Sequence, residues 1–315
     1  MRPTHGPSPA LLLLAVLGAF AFTARGAPAA AQSYQRVFER ATTFANETGG
    51  VWSLSSVVAS GLPDLIFVKT SNTPSGRVEV HVSPGAAQYQ GRGLEVPTTF
   101  ANETDGVWGL VNNAPGAASL PDLYFIKTAN TPSGNVEVHI ASAASNYQAR
   151  TVETATTFAN ETDGVWALVR HAGGGLPDLV FVKTGNTPSG RVEVHIASGA
   201  SMYQARVLEV QTTFAVEEDG TWGIVAGPAG TFPDLYFIKT ANTPSGNVEV
   251  HTASGASRYQ TRTLEVATDF RNETGGAWSL LPNLPWTPVP SLAFIKTANT
   301  PNGHVEVHLA QFITR

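Results

Sequence analysis

The chain of 315 residues contains no cysteine. Disulfides and thiolate metal sites are therefore excluded. Stability must come from a hydrophobic core, which a chain of this length can build. Charge is sparse: 14% of residues are charged, and the formal net charge is -5. No basic stripe is visible, which argues against a nucleic-acid partner. No segment shows sustained helical periodicity. After the first residues, no stretch is apolar enough to span a membrane. Nucleophile-elbow, phosphate-loop and HExxH motifs are missing too.

The first 31 residues read as a secretory signal. Arg2 gives a positive start, Ala10 to Phe22 an apolar stretch, and Ala29-Ala30-Ala31 small residues for cleavage. The expected organisation is a signal peptide over 1–31 and one secreted, extracellular domain over 32–315.

What the chain has in abundance is repetition. TTFANETGGVW (Thr42 to Trp52) returns as TTFANETDGVW (Thr98 to Trp108 and Thr156 to Trp166), TTFAVEEDGTW (Thr212 to Trp222) and TDFRNETGGAW (Thr268 to Trp278). The tryptophans recur about every 56 residues, a period of propeller blades and solenoid units. A unit this short cannot bury its own faces, so neighbours must supply the core.

Within the second unit, Leu94 to Phe100, Gly106 to Val111, Pro121 to Thr128 and Val136 to Ser142 read as four short strands. Each is rich in β-branched and aromatic residues and bounded by turn formers. In Leu123 to Thr128 both faces are largely apolar, as for a sheet covered on both sides. The recurring Trp and Phe are read as packing between units, each burial worth about 1.5–3 kcal/mol. The recurring lysines and glutamates (Lys69 with Glu79, Lys127 with Glu137, Lys183 with Glu193, Lys239 with Glu249, Lys296 with Glu306) sit on strands expected to pair, and read as cross-strand ion pairs. The five VEVH histidines (His81, His139, His195, His251 and His308) are expected to bond locally.

Segments equivalent to Tyr34–Phe44 follow each VEVH strand except the last. The chain thus has a spare strand at its start and lacks one at its end. A ring resolves this, because the N-terminal strand can complete the last blade and remove open edges. The expected fold is all-β: a five-bladed β-propeller with four antiparallel strands per blade.

The string W-x-L, variable loop, P-D-L-x-F-x-K-T and G-x-V-E-V-H resembles the FG-GAP and VCBS propeller repeats. The resemblance implies an extracellular propeller used in adhesion or ligand binding, lectins included. The family's aspartate-rich calcium loop is missing, since only Asp64, Asp122, Asp178 and Asp234 persist and Ser291 stands in the fifth unit. No metal or cofactor is expected.

Strand order places the NET-type loops and the NTPSG-type loops on one face. The candidate ligand-binding residues are Asn46, Glu47, Asn72, Asn102, Glu103, Asp105, Asn130, Asn160, Glu161, Asp163, Asn186, Asn242, Asn272, Glu273 and Asn299. Their donors and acceptors suit sugar hydroxyls. Asn46, Asn102, Asn160 and Asn272 also begin N-x-T sequons. Several equivalent sites would gain avidity on a polyvalent surface. The expected function is therefore a multivalent, lectin-like protein whose partners are glycans or a cell-surface polysaccharide or glycoprotein. A protein-binding adhesion module is the alternative. A glycoside hydrolase comes third, because its carboxylates need unlike roles and here Glu47, Glu103, Glu161, Glu217 and Glu273 repeat in register. Irregular features are few: Trp286 and its proline-rich loop, His171, and the AVEED loop. No enzymatic activity is expected.

Overall fold

The computed structural model describes residues 32–55, 61–111, 120–170, 175–228, 230–282 and 289–314. The expected signal, much of the variable loops, His171 and Trp286 lie outside the described residues. The described chain holds twenty strands and four short 3-10 turns. The first strand, β1, spans Gln32–Ala45. Blade 1 contains β2 (Gly50–Leu54), β3 (Leu65–Lys69), β4 (Arg77–Ser83) and β5 (Leu94–Ala101). Blade 2 contains β6 (Gly106–Val111), β7 (Asp122–Lys127), β8 (Asn135–Ala141) and β9 (Arg150–Ala159). Blade 3 contains β10 (Gly164–Val169), β11 (Asp178–Lys183), β12 (Arg191–Ala197) and β13 (Arg206–Ala215). Blade 4 contains β14 (Gly220–Val225), β15 (Asp234–Lys239), β16 (Asn247–Ala253) and β17 (Arg262–Arg271). The closing blade contains β18 (Gly276–Leu281), β19 (Ser291–Lys296), β20 (His304–Thr314) and β1.

Within each blade the strands pair antiparallel in that order. One parallel pairing, Tyr34 with Thr268, joins the closing blade to blade 4, so those two run as one eight-stranded ladder. The first strands of the blades (β2, β6, β10, β14 and β18) each touch the next, and β18 touches β2. The molecule is therefore a five-bladed propeller with the tryptophan strands innermost.

Each blade is offset by one strand from the unit read in the sequence. The LEV-type strand pairs with the VEVH strand before it, as Val96 does with Val80. The NET segment is therefore a crossing between blades rather than a hairpin within one. Close packing accounts for the cut. Gly106 faces Lys127 on β7, where a Cβ would lie 2.1 Å from the Ile126 carbonyl oxygen, so only glycine lets the inner strand start there.

Burial along β7 is continuous from Leu123 to Ile126, which is what a sheet covered on both faces requires. Aromatic side chains fill the seams. Phe100 of blade 1 meets Trp108 of blade 2 edge-on at 5.1 Å, and Trp108 stacks on Phe125 at 4.2 Å. Equivalent trios occur at the other seams, and each is a favourable ring geometry. Two blades exchange bulk between strands. Opposite Tyr124 and Tyr236 stand Gly109 and Gly223, where a Cβ would lie 2.3 Å from the tyrosine hydroxyl. The Tyr124 hydroxyl is hydrogen-bonded to the backbone of Leu168 in the next blade, and burial pushes it up to about 12.

Candidate functional site

The NET crossings and the NTPSG-type hairpins lie together on one face, and they hold each other. Asn102 donates to Thr73 Oγ1 at 3.0 Å, in the hairpin of the blade it leaves. Asp105, three residues on, accepts from Asn130 at 2.9 Å in the hairpin of the blade it enters. Its backbone carbonyl also accepts from the amide of Thr128 at 2.9 Å. This crossing thus clamps two consecutive hairpins. The pattern recurs with Asn160 to Thr131, Thr243 to Asn272, Asn242 to Asp219, and Asn186 to Asp163. Across the ring closure, Asn46 donates to Thr300 at 2.8 Å. Asn72, Asn130, Asn186, Asn242 and Asn299 share a left-handed backbone with φ between 51 and 54°, a conformation asparagine tolerates well.

The glutamates of the crossings take the lysines. Glu47 pairs with Lys69 at 2.7 Å, Glu103 with Lys127 at 3.0 Å, Glu161 with Lys183 at 2.8 Å, Glu217 with Lys239 at 2.5 Å and Glu273 with Lys296 at 2.5 Å. This corrects the cross-strand pairs read in the sequence. Lys127 and Glu137 do stand opposite in register, yet the ammonium reaches the crossing loop and Glu137 turns to His139 and Ser133. The five ion pairs form a ring on the loop face.

The histidines lie on the third strands, away from the innermost ones. Each stands between two carboxylates of its own blade. His81 bonds Glu95 at 3.0 Å through Nδ1 and Glu79 at 3.2 Å through Nε2. Arg92 holds the outer Glu95 and lies 4.5 Å over the Phe44 ring.

The acid that ends the crossing is missing at two neighbouring blades. Blades 2, 3 and 4 have Asp105, Asp163 and Asp219 at the end of the crossing, whereas blade 1 and the closing blade have Gly49 and Gly275. These two blades are neighbours through ring closure. The closing blade also has Ala277 where blades 1, 2 and 3 have Val51, Val107 and Val165. Both changes remove bulk at the same seam. A depression of about 430 Å³ lies there, lined by Gly50, Trp52, Thr274, Gly275, Ala277 and Thr297 among others. Glu273 directly precedes the lining residue Thr274, and Lys69, partner of Glu47, stands opposite the lining residue Gly50. The sequence contains this asymmetry, but it acquires meaning only once the first and last blades are adjacent.

No protein-family model and no curated protein matches the chain. Solved structures do. The catalytic domain of a GH62 α-L-arabinofuranosidase from Coprinopsis cinerea matches with a TM-score of 0.53 at 10% identity, over 90% of this chain and 98% of that one. The α-L-arabinofuranosidase PaAbf62A from Podospora anserina, in complex with cellotriose, matches with a TM-score of 0.49 at 9% identity, over 89% and 97%. A GH43 β-1,3-galactosidase with galactodeoxynojirimycin gives 0.46 at 9% identity, over 87% and 94%. The FG-GAP and VCBS resemblance finds no family match, and the three solved structures just described are glycoside hydrolases. The expectation of a non-enzymatic, lectin-like protein, with an adhesion module as alternative, is contradicted by the same comparison, in which the matching propeller is a glycoside hydrolase catalytic domain. The polar loops repeat with the blades. Their recurrence is already accounted for by the clamps between blades.

Proposed function

We propose that the protein is a glycoside hydrolase acting on a polysaccharide, with its site at the seam between the closing blade and blade 1. The observation that carries this reading is the loss of symmetry there. Catalysis at one centre requires one seam to differ from the other four, and a glycosidase requires two carboxylates beside the scissile bond. The Gly275 and Ala277 depression supplies the first, and Glu47 and Glu273 supply the second. In this reading the sugar sits in the depression, and Asn72 and Asn299, whose aspartate counterparts are replaced by glycine, meet its hydroxyls. The likeness to an arabinofuranosidase domain supports the scaffold, and the seam supplies the place. The remaining crossing residues keep the ring in register. Export through residues 1–31 would bring the protein to an extracellular substrate.

The test is release of reducing sugar from a panel of plant and microbial polysaccharides. Glu47→Gln and Glu273→Gln should each lower the rate by about 10²–10⁴-fold, the usual contribution of acid–base catalysis. Glu161→Gln, the same change at a regular seam, should leave it unchanged. Gly275→Asp should abolish turnover with the fold intact, because a Cβ there makes only ordinary contacts with Ala298, from 3.4 Å outward. Equal loss in all three glutamine variants, or no hydrolysis of any substrate, would end the proposal.

A further inference from the structure

We propose that Glu39, Glu306 and His308 form a binding site for a divalent cation of the zinc class, which fastens the N-terminal strand to the C-terminal strand. Glu39 lies on β1, and Glu306 and His308 lie on β20. One ligand atom from each falls within 4.8 Å of the others, and this is the one such trio among the described residues. A zinc ion takes nitrogen and carboxylate oxygen at about 2.0–2.2 Å; Glu39 stands at Nδ1 and Glu306 at Nε2, so one ring nitrogen binds and the farther carboxylate turns in to meet the ion.

His308 is the second observation. It is 4% exposed, and both ring nitrogens lack a hydrogen-bond partner. Nδ1 stands 3.6 Å from Glu39 and Nε2 3.4 Å from Glu306, without hydrogen-bond geometry. In blades 1 and 3 the equivalent His81 and His195 bond both carboxylates at 3.0–3.2 Å, whereas His139 in blade 2 is unpartnered like His308 but belongs to no trio as close as that of the closing blade. A buried imidazole with no bond on either side is costly, and a metal removes that cost at one nitrogen.

Glu306 differs in the same direction. In blades 1, 2 and 4 the equivalent Glu79, Glu137 and Glu249 accept from Ser75, Ser133 and Ser245. In the closing blade that serine is replaced by Asn302. Glu306 is also 9% exposed, and among the described residues it is the one buried glutamate. Two carboxylates and one neutral imidazole make an N/O donor set suited to zinc, nickel or copper. Glu39 is half exposed and gives the ion its way in. Arg36 holds Glu39 Oε2 at 2.6 Å, the same oxygen that faces His308, so the ion must compete with the guanidinium for it.

The closing blade is the one whose third and fourth strands have no covalent connection, so a tie there does most for the ring. The experiment uses the full chain without a histidine tag, stripped with chelator and titrated calorimetrically with zinc sulfate, with thermal unfolding in parallel. One equivalent should bind and raise the unfolding midpoint. Binding should be lost in His308→Ala and in Glu39→Gln, weakened in Asn302→Ser, and kept in His139→Gln. Glu39 is exposed enough for its variant to fold even where the histidine variant does not. No stoichiometric binding, binding that survives Glu39→Gln and His308→Ala, or binding lost equally in His139→Gln would overturn the proposal.

Discussion

Blade 2 and the closing blade are built from nearly the same sequence and held together differently. In blade 2 the third and fourth strands follow one another through a 3-10 turn, and Tyr147 after the turn takes a left-handed φ of 62° to send its hydroxyl to the Pro121 carbonyl. In the closing blade the two strands come from opposite ends of the chain. Tyr34 makes the corresponding bond, to Pro290 at 2.8 Å, from within an extended strand. The ladder is longer to match: β1 and β20 have 14 and 11 residues, against 10 and 7 for β9 and β8. The extra pairs, from Gln32 opposite Thr314 to Tyr34 opposite Phe312, stand where the turn would be. A covalent connection keeps its ends close without help, whereas a noncovalent one must offset the entropy of closing a loop of the whole chain.

The most disruptive way to test that contrast is to delete residues 32–45. This exposes β20 as an edge and uncovers Trp52 and His308 by removing Phe44 and Glu39. We expect no folded monomer, only aggregate, by near-ultraviolet dichroism and gel filtration. A truncated chain that stays monomeric and cooperative would mean that four blades suffice.

Next in size, Trp108→Ala and Trp278→Ala remove equivalent buried rings from seams that differ in their neighbours. Each should cost about 3–5 kcal/mol by denaturant unfolding. The two values should agree within about 1 kcal/mol if each seam is an independent wedge contact. A much larger loss at Trp278 would show that the closing blade opens first.

How much of this was legible beforehand follows from the range of each signal. The tryptophan period, the turn residues and the missing last strand are local or countable, and they carried the blade number and the face shared by Asn102 and Asn130. The partner of Lys127 was not legible. Glu137 is near in register, and only the folded crossing brings Glu103 closer. The exchange of Gly109 for bulk at Tyr124 was hidden because it compensates across two strands. The seam with Gly275 and Ala277 was invisible for a further reason: its two halves lie at opposite ends of the sequence. Function was misread because duplication produces repeated loops whether or not they bind anything.

A smaller effect concerns acid. His139 in blade 2 is held below its usual value of 6.5, chiefly by burial, with Glu153, Arg150, Glu137 and Glu103 around it. The unfolded chain therefore takes up a proton near pH 6.5 that the folded blade refuses until lower pH. Stability contributed by this group is full above about 6.5 and declines as pH falls through that value toward the folded pKa, at no more than about 1.4 kcal/mol per pH unit. His139→Gln should flatten the fall of the unfolding midpoint between pH 7 and pH 5. An unchanged slope would place the acid sensitivity elsewhere.

The smallest expected effect separates clamp from site most cleanly. Asn130 and Asn299 occupy the same hairpin position with φ of 53 and 54°. Replacing either with glycine therefore changes the backbone cost equally, and the difference between the two isolates the side chain. Asn130 donates to Asp105 at 2.9 Å, whereas Gly275 occupies the position of that aspartate before the closing blade. Asn130→Gly should be the more destabilising by about 0.5–1.5 kcal/mol, the net worth of one hydrogen bond, and should leave hydrolysis untouched. Asn299→Gly should scarcely alter the unfolding midpoint and should raise the Michaelis constant for the polysaccharide, because it lacks the aspartate clamp and directly follows the lining residue Ala298. If both variants lose stability alike and neither alters turnover, Asn299 is a turn former like its counterparts, and the substrate does not meet the closing-blade hairpin.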